Sequence, residues 1–186
     1  MGKNQALARA VFLDRDGVIN RARVRGGRPY APVSFEEFEI LPGVREAIRL
    51  LHEAGFKLIV VTNQPDAAKD ARAMEFAREL HQRLYAAFPL DGIKTCFHVE
   101  EDECVCRKPK PGMLIDAAHE WALDLKKSYL VGDRWKDMEA GKAAGCRTIL
   151  VHWIEYTENN AASADVVVGS LLEAAQVILE ESRDEN

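Results

Sequence analysis

Asp14-Arg15-Asp16-Gly17 sets two carboxylates two residues apart, directly after the apolar run Ala10-Val11-Phe12-Leu13. The run reads as a short buried strand, and acids spaced i, i+2 at its end point to one side. Gly17 lacks a Cβ and lets the chain turn away behind them. Two acids leaving the carboxyl edge of a sheet stand where open α/β folds bind ligands. Alone, the pattern is a weak signal and reads first as an ordinary solvated turn.

Three further groups change that balance. Thr62-Asn63 ends an apolar run that begins at Lys57, Arg107-Lys108-Pro109 follows a cluster of cysteines, and Gly132-Asp133 ends another apolar run, with Asp137 close behind. In a parallel sheet all of these converge on one edge. Carboxylates, a hydroxyl and a lysine together suit phosphoryl transfer to a carboxylate nucleophile. A phosphate ester is anionic and repels such a nucleophile unless charge is offset. Mg²⁺ held by Asp14 and Asp133 offsets it, because this ion prefers oxygen ligands. Lys108 adds a fixed positive charge at the phosphoryl oxygens, and Thr62 adds a hydrogen bond. Asp16 is left to protonate the leaving oxygen and then to take a proton from the attacking water.

Cys96-x-His98 and Cys104-x-Cys106 form two i, i+2 pairs. On extended backbone each pair turns both side chains to one face, so the two pairs can close a tetrahedral site. Four protein ligands with no open position describe structural zinc, and Cys106 adjoins Arg107 and Lys108. Cys146 lies outside the cluster and reads as a buried thiol. Arg21-Ala22-Arg23-Val24-Arg25-Gly26-Gly27-Arg28 carries four arginines in a chain of net charge −5. Guanidinium groups bind phosphate bidentately, so Arg23 and Arg25, with Arg107, are candidates to anchor a second, non-reacting phosphate. A solvated Arg/Gly loop is the alternative. The helical histidines His52, His81 and His119 read as solvated, and Trp121, Trp135 and Trp153 as packing or surface residues.

The elements that must position these groups follow from periodicity. Apolar, β-branched runs at 9–13, 57–62, 93–98, 127–132, 147–152 and 165–168 alternate with amphipathic stretches at 43–54, 71–87, 111–123, 136–144 and 171–181. Pro42 and Pro111 fit helix starts, Gly55 and Gly145 helix ends. The alternation implies an α/β fold: a Rossmann-like parallel sheet flanked by helices on both faces. The 186 residues are expected to form a single domain, 1–186. The intervals between the site groups leave no room for a lid domain, so the fold is expected to be capless, with an open site. Net acidity argues against a nucleic-acid surface. No apolar run approaches the ~18 residues of a membrane span, and no signal peptide is visible. A cytoplasmic monomer is the expectation.

Phe12-Leu13-Asp14-Arg15-Asp16-Gly17-Val18-Ile19-Asn20, Val61-Thr62-Asn63-Gln64, Cys106-Arg107-Lys108-Pro109 and Val131-Gly132-Asp133-Arg134 resemble the four ordered motifs of the haloacid-dehalogenase-type phosphatases. Within that family they are similar to the D-glycero-D-manno-heptose 1,7-bisphosphate 7-phosphatases and the histidinol-phosphate phosphatases. The resemblance implies Asp14 as nucleophile and Asp16 as general acid/base, with Thr62 and Lys108 steadying the phosphoryl group. It implies Mg²⁺ on Asp14, Asp133 and the Asp16 carbonyl, and Zn²⁺ on Cys96, His98, Cys104 and Cys106. Asn63, Arg107 and Arg134 join Arg23 and Arg25 as expected substrate-binding residues. The substrate expected is a small phosphorylated one, a sugar bisphosphate. Two departures stand out: Pro65-Asp66 replaces the Ser-Gly usual in the heptose enzymes, and only five residues separate His98 from Cys104. Histidinol phosphate is the alternative substrate. A zinc-stabilised binding module is the non-enzymatic alternative, against which stand Asp14, Asp16, Lys108 and Asp133 together.

Overall fold

The computed structural model describes residues 7–157 and 164–184. In chain order it contains β1 (Ala10–Leu13), β2 (Arg23–Arg25), β3 (Arg28–Tyr30), α1 (Val44–Glu53), β4 (Lys57–Asn63), α2 (Ala71–Ala87), β5 (Gly92–Cys96), α3 (Gly112–Trp121), β6 (Tyr129–Gly132), α4 (Trp135–Ala144), β7 (Arg147–Val151), β8 (Val166–Val168) and α5 (Leu171–Asp184). Six strands form one sheet in the order β5-β4-β1-β6-β7-β8, every neighbouring pair parallel. The chain builds outward from β1 first through β4 and β5, then through β6, β7 and β8. β1 and β6 therefore flank the point where strand order reverses, which opens a crevice at their carboxyl ends.

Alternation along the strands divides the core. Val11, Leu13, Leu58, Val60 and Val131 pack with α1, α2 and α5 on one face. Ala10, Phe12, Ile59, Val61 and Leu130 pack with α3 and α4 on the other. Period-two alternation with both faces apolar is what a sheet covered on both sides requires. Helix α1 shows the matching helical period: Val44, Ala47, Ile48 and Leu51 are its buried residues.

Most expected elements form, with shifted ends. The strand expected from 127 begins at Tyr129, because Asp124 accepts the Lys126 N–H and caps a 3₁₀ turn over Leu125–Lys127. The helix expected to reach 123 ends at Trp121, where Ala122 turns left-handed at φ 50°. Strands β2 and β3 lie in the stretch read as an Arg/Gly loop. They form an antiparallel ribbon in which Arg23 pairs with Tyr30 and Arg25 with Arg28. Gly26 and Gly27 make its turn, with φ of 56° and 75°. Two left-handed residues are what a tight two-residue hairpin needs, so Gly-Gly was the available signal. Among the described residues no segment builds a separate lid over the sheet edge, and no helix is long and apolar enough to cross a membrane.

Candidate active site

The carboxyl ends of β1, β4 and β6 hold Asp14, Thr62 and Asp133, and the loop after β5 brings in Lys108. Asp14, Lys108, Asp133 and Asp137 are all buried. The Lys108 ammonium donates to Asp14 Oδ1 at 2.7 Å and to the Val61 carbonyl at 2.8 Å. It also lies 2.5 Å from Asp137 Oδ1, a close charge contact. Burial alone would push the Lys108 amine down, but Asp137 and Asp14 outweigh it and keep the group protonated. Burial, with the Asp137 and Asp16 charges, pushes the Asp14 carboxyl up to about 6 despite Lys108. Burial, then the Asp14 and Asp137 charges, raises Asp133 well above the usual carboxylate range.

These groups fit a divalent cation. Asp14, Asp133 and Asp137 bring carboxylate oxygens within 4.8 Å of one another. Neither buried Asp133 oxygen has a well-formed hydrogen bond, although the Tyr156 hydroxyl stands beside it. One ammonium faces three buried carboxylates, and such a charge excess is costly without a cation. Gly17 makes room for the group: at its φ of 89°, a Cβ would sit 2.0 Å from Asp133 Oδ2. The Trp153 indole donates to the Gly17 carbonyl at 2.8 Å and fixes that turn, a positional role that packing alone did not suggest.

Asp16 is held as an acceptor on both oxygens. Arg15 donates to both at 3.2 and 2.9 Å, Asn20 to Oδ1 at 2.9 Å, and Gln64 to Oδ2 at 2.7 Å. Gln64 also donates to Thr62 Oγ1 at 2.8 Å, which leaves the hydroxyl proton of Thr62 to point elsewhere. Arg15 is 1% exposed, and its far nitrogen lies 3.2 Å from His81 Nε2 on α2. A guanidinium can only donate, so His81 Nε2 accepts and the ring is neutral. Burial first, then Arg15, pushes His81 down to about 4. The expectation of a solvated His81 is corrected: it is half-buried against the arginine between the two acids.

Asp14, Asp16, Thr62 and Lys108 line one cavity of about 300 Å³, together with Asn63, Arg107, Asp133 and Arg134. Asn63, expected to bind substrate, has its amide engaged by Lys108. Its nitrogen donates to the Lys108 carbonyl at 3.0 Å, and its oxygen accepts the Lys108 N–H at 3.1 Å. It is the clamp on the lysine's backbone. Arg107 donates to the His98 carbonyl at 3.0 Å, tying the cavity wall to the cysteine loop. Arg23 and Arg25 are not brought to the cavity. Arg23 is drawn into a 2.6 Å ion pair with Glu37, and Arg25 is exposed at the ribbon's end. Sequence reasoning gave no role to Asp137, Gln64 or His81. Asp137 sits four residues beyond Asp133 on the first turn of α4, and Gln64 follows the Thr-Asn pair, so proximity in the motifs was the signal available.

Cys96 Sγ lies 3.7 Å from Cys104 Sγ and 3.3 Å from Cys106 Sγ, and those two are 3.4 Å apart. His98 Nδ1 stands 3.6 Å from Cys96 and 3.3 Å from Cys106. A tetrahedron with Zn–S bonds of ~2.3 Å has edges near ~3.7 Å, so the four atoms are spaced for zinc. Burial is the largest single influence on each clustered thiol: it pushes Cys96 up to about 12 and Cys106 up, while at Cys104 hydrogen bonds with Cys106, the Arg107 backbone and Cys96 together outweigh it and bring that thiol to about 7. A thiol that ionises near neutrality is a ready metal ligand.

A family model for haloacid dehalogenase-like hydrolases matches residues 20–145. The chain is 38% identical to the D-glycero-beta-D-manno-heptose-1,7-bisphosphate 7-phosphatase of Vibrio cholerae serotype O1, covering 91% of this chain and 96% of that protein. With the protein of the same name from Escherichia coli K12 the identity is 36%, covering 94% and 95%. Among solved structures, it superposes on D,D-heptose 1,7-bisphosphate phosphatase from B. bronchiseptica, complexed with magnesium and phosphate. That match has a TM-score of 0.74 and 30% identity, and it covers 93% of this chain and 99% of the other.

Proposed function

The chain belongs to the haloacid dehalogenase-like hydrolases and is a phosphoric monoester hydrolase; from that premise we propose that it removes the 7-phosphate of a heptose 1,7-bisphosphate by way of an aspartyl-phosphate on Asp14. One arrangement carries this reading: the Lys108 ammonium seated between Asp14 and Asp137, beside the unsatisfied carboxylate of Asp133. The names of the relatives supply the substrate, and the bound magnesium and phosphate of the B. bronchiseptica enzyme support the metal.

In this mechanism an Asp14 oxygen attacks phosphorus, and the P–O bond to the sugar breaks. Lys108 and the Thr62 hydroxyl bind phosphoryl oxygens, Lys108 trading its hold on Asp14 for the anion that forms there. Asp137 and Asn63 keep the lysine in place through its ammonium and its backbone. Asp16 gives its proton to the leaving sugar oxygen, then takes one from the water that hydrolyses the aspartyl-phosphate. Its present partners suit the second half, in which both oxygens accept. The first half requires a proton on one oxygen, which displaces a donor such as Gln64. Asp14, Asp133 and the Asp16 carbonyl are the groups to hold Mg²⁺, which supplies positive charge against the repulsion between substrate and carboxylates. Cys96, His98, Cys104 and Cys106 are assigned a structural zinc that braces the loop bearing Arg107 and Lys108.

The test is phosphate release from heptose 1,7-bisphosphate, histidinol phosphate and simple sugar phosphates, with and without Mg²⁺. Heptose bisphosphate should be turned over fastest and only with the metal. Asp14→Asn should retain under about 1% of the rate, given the many powers of ten a phosphatase supplies. Faster release from histidinol phosphate would replace the sugar, and an active Asp14→Asn would refute the nucleophile.

A further inference from the structure

The segment that follows β7 turns back against the groups expected to hold the cation. It is a tight turn over 153–156, closed by the Tyr156 N–H on the Trp153 carbonyl at 3.1 Å. Both ends are pinned. The His152 N–H donates to the Val168 carbonyl at 2.9 Å, and the Thr157 N–H donates at 3.0 Å to the carbonyl of Gly27, in the turn of the β2–β3 ribbon. Inside the turn the Trp153 and Tyr156 rings stack, with centres 6.2 Å apart and planes at 29°. Each ring sends one polar atom to a different part of the cation site. The Trp153 indole N–H reaches the Gly17 carbonyl at 2.8 Å, and the Gly17 N–H donates to the Asn20 carbonyl at 2.7 Å. That N–H shares a rigid peptide plane with the Asp16 carbonyl, so bonds on both sides of Gly17 fix where the carbonyl points. The Tyr156 hydroxyl stands beside Asp133. A Cβ on Gly17 would lie 2.0 Å from Asp133 Oδ2 and 3.0 Å from Tyr156 Oη, so carboxylate and hydroxyl meet over the one residue that leaves them room. Asp133 is fully buried and neither of its oxygens has a well-formed hydrogen bond. Burial first, then the Asp133 charge, pushes the Tyr156 hydroxyl up, so it keeps its proton and is a donor to that carboxylate.

We propose that Trp153 and Tyr156 are positioning residues for the Mg²⁺ site: Trp153 sets the Asp16 carbonyl through Gly17, and Tyr156 sets the Asp133 carboxylate. The proposal rests on the Mg²⁺ assignment above and deepens it. Partners behind the ligands orient them and tune the affinity of a metal site. Mg²⁺ demands near-ideal octahedral geometry, whereas the larger Ca²⁺ accepts irregular oxygen cages. A turn that fixes two of the three protein ligands therefore favours the smaller ion. Its two stacked rings, held at both ends by backbone hydrogen bonds, make it a rigid support.

The experiment is calorimetric titration of desalted, zinc-loaded protein with Mg²⁺ and, separately, with Ca²⁺, in the absence of substrate. It compares the wild type with Tyr156→Phe and Trp153→Phe. Each substitution keeps an aromatic ring in the turn and removes the donor. Circular dichroism and zinc content check that each variant is folded, and should one not fold, the other decides. Mg²⁺ affinity should fall roughly ten- to a hundredfold in each variant. Ca²⁺ affinity should fall less, so the preference for Mg²⁺ over Ca²⁺ narrows. Unchanged Mg²⁺ affinity in both variants overturns the proposal and leaves the cation assignment standing. Equal losses for the two ions also overturn it, because a general loosening of the site does not discriminate by geometry. A loss confined to one variant overturns the role of the other residue. A wild type that binds no Mg²⁺ sinks the cation assignment itself, and the positioning role with it.

Discussion

Asn63 and His81 both act one residue away from the groups that carry the proposed chemistry, and each has a distinct signature. Asn63 makes two hydrogen bonds to the Lys108 backbone, about 0.5–1.5 kcal/mol each. Asn63→Ala should therefore lower kcat roughly tenfold with KM little changed, because in the proposed reaction the lysine steadies the transition state rather than the resting substrate. A rise in KM alone would restore the substrate-binding role expected from the motif. His81 is neutral against Arg15, with its pKa pushed down to about 4 from an ordinary 6.5. Between these values the unfolded chain binds a proton that the folded chain does not. The His81 contribution to stability is thus complete above about pH 6.5 and is lost as pH falls toward 4. The difference between wild type and His81→Gln isolates this from the acids nearby. Denaturant midpoints should diverge in favour of the variant as pH drops through that window, and parallel curves would contradict the neutral histidine.

At the scale of elements, the loop after β5 is the piece that most needs outside support. It spans 97–111 with one 3₁₀ turn at Glu100–Asp102, yet it must hold Lys108 inside the sheet edge. Asn63 ties it to β4, and the ligand atoms of Cys96, His98, Cys104 and Cys106 gather where the proposed zinc would tie it to itself. Zinc binding is folding energy for such a loop, since the site does not exist in the open chain. Purified protein should contain close to one zinc per chain. Cys104→Ser should lose most of it, lower the melting temperature and reduce kcat through a misplaced Lys108, as read by metal analysis, calorimetry and phosphate release. Unchanged zinc content in that variant would break the four-ligand assignment. The β2–β3 ribbon shows the opposite economy: two left-handed glycines close it, and Gly27 leaves space that Thr157 fills.

For the whole molecule, the crevice at the strand-order reversal concentrates negative charge. Three buried carboxylates with one ammonium between them cost the metal-free protein stability. A ligand that binds only the folded state stabilises by about 2.7 kcal/mol at a hundredfold excess over Kd. For a chain of this length that is a shift of several degrees. Adding Mg²⁺ to desalted, zinc-loaded protein should raise the melting temperature accordingly, and Asp133→Asn should abolish most of the rise. Equal shifts in the two proteins would place the cation elsewhere.

The sequence alone determined the parallel α/β fold and the four groups that meet at one edge of the sheet, because both are written locally. Strand and helix periods repeat every two and 3.6 residues, and the acid pair, the Thr-Asn pair and the two cysteine pairs are each set within two or three positions. Nothing local reveals which side chain answers another across the fold. Lys108 meets Asp14 from 94 residues away, Gln64 meets Asp16 from 48, and Arg15 meets His81 from 66. Those pairings depend on how α2, α4 and the β5 loop pack against the sheet, and on the rule that buried polar groups must find partners. The arginines make the same point most directly. Four of them stand within eight residues, alike in sequence, and only the folded chain tells them apart: Glu39 and Glu37 draw in Arg21 and Arg23, Arg25 is exposed at the ribbon's end, and Arg28 lines a cavity wall beside the start of α4.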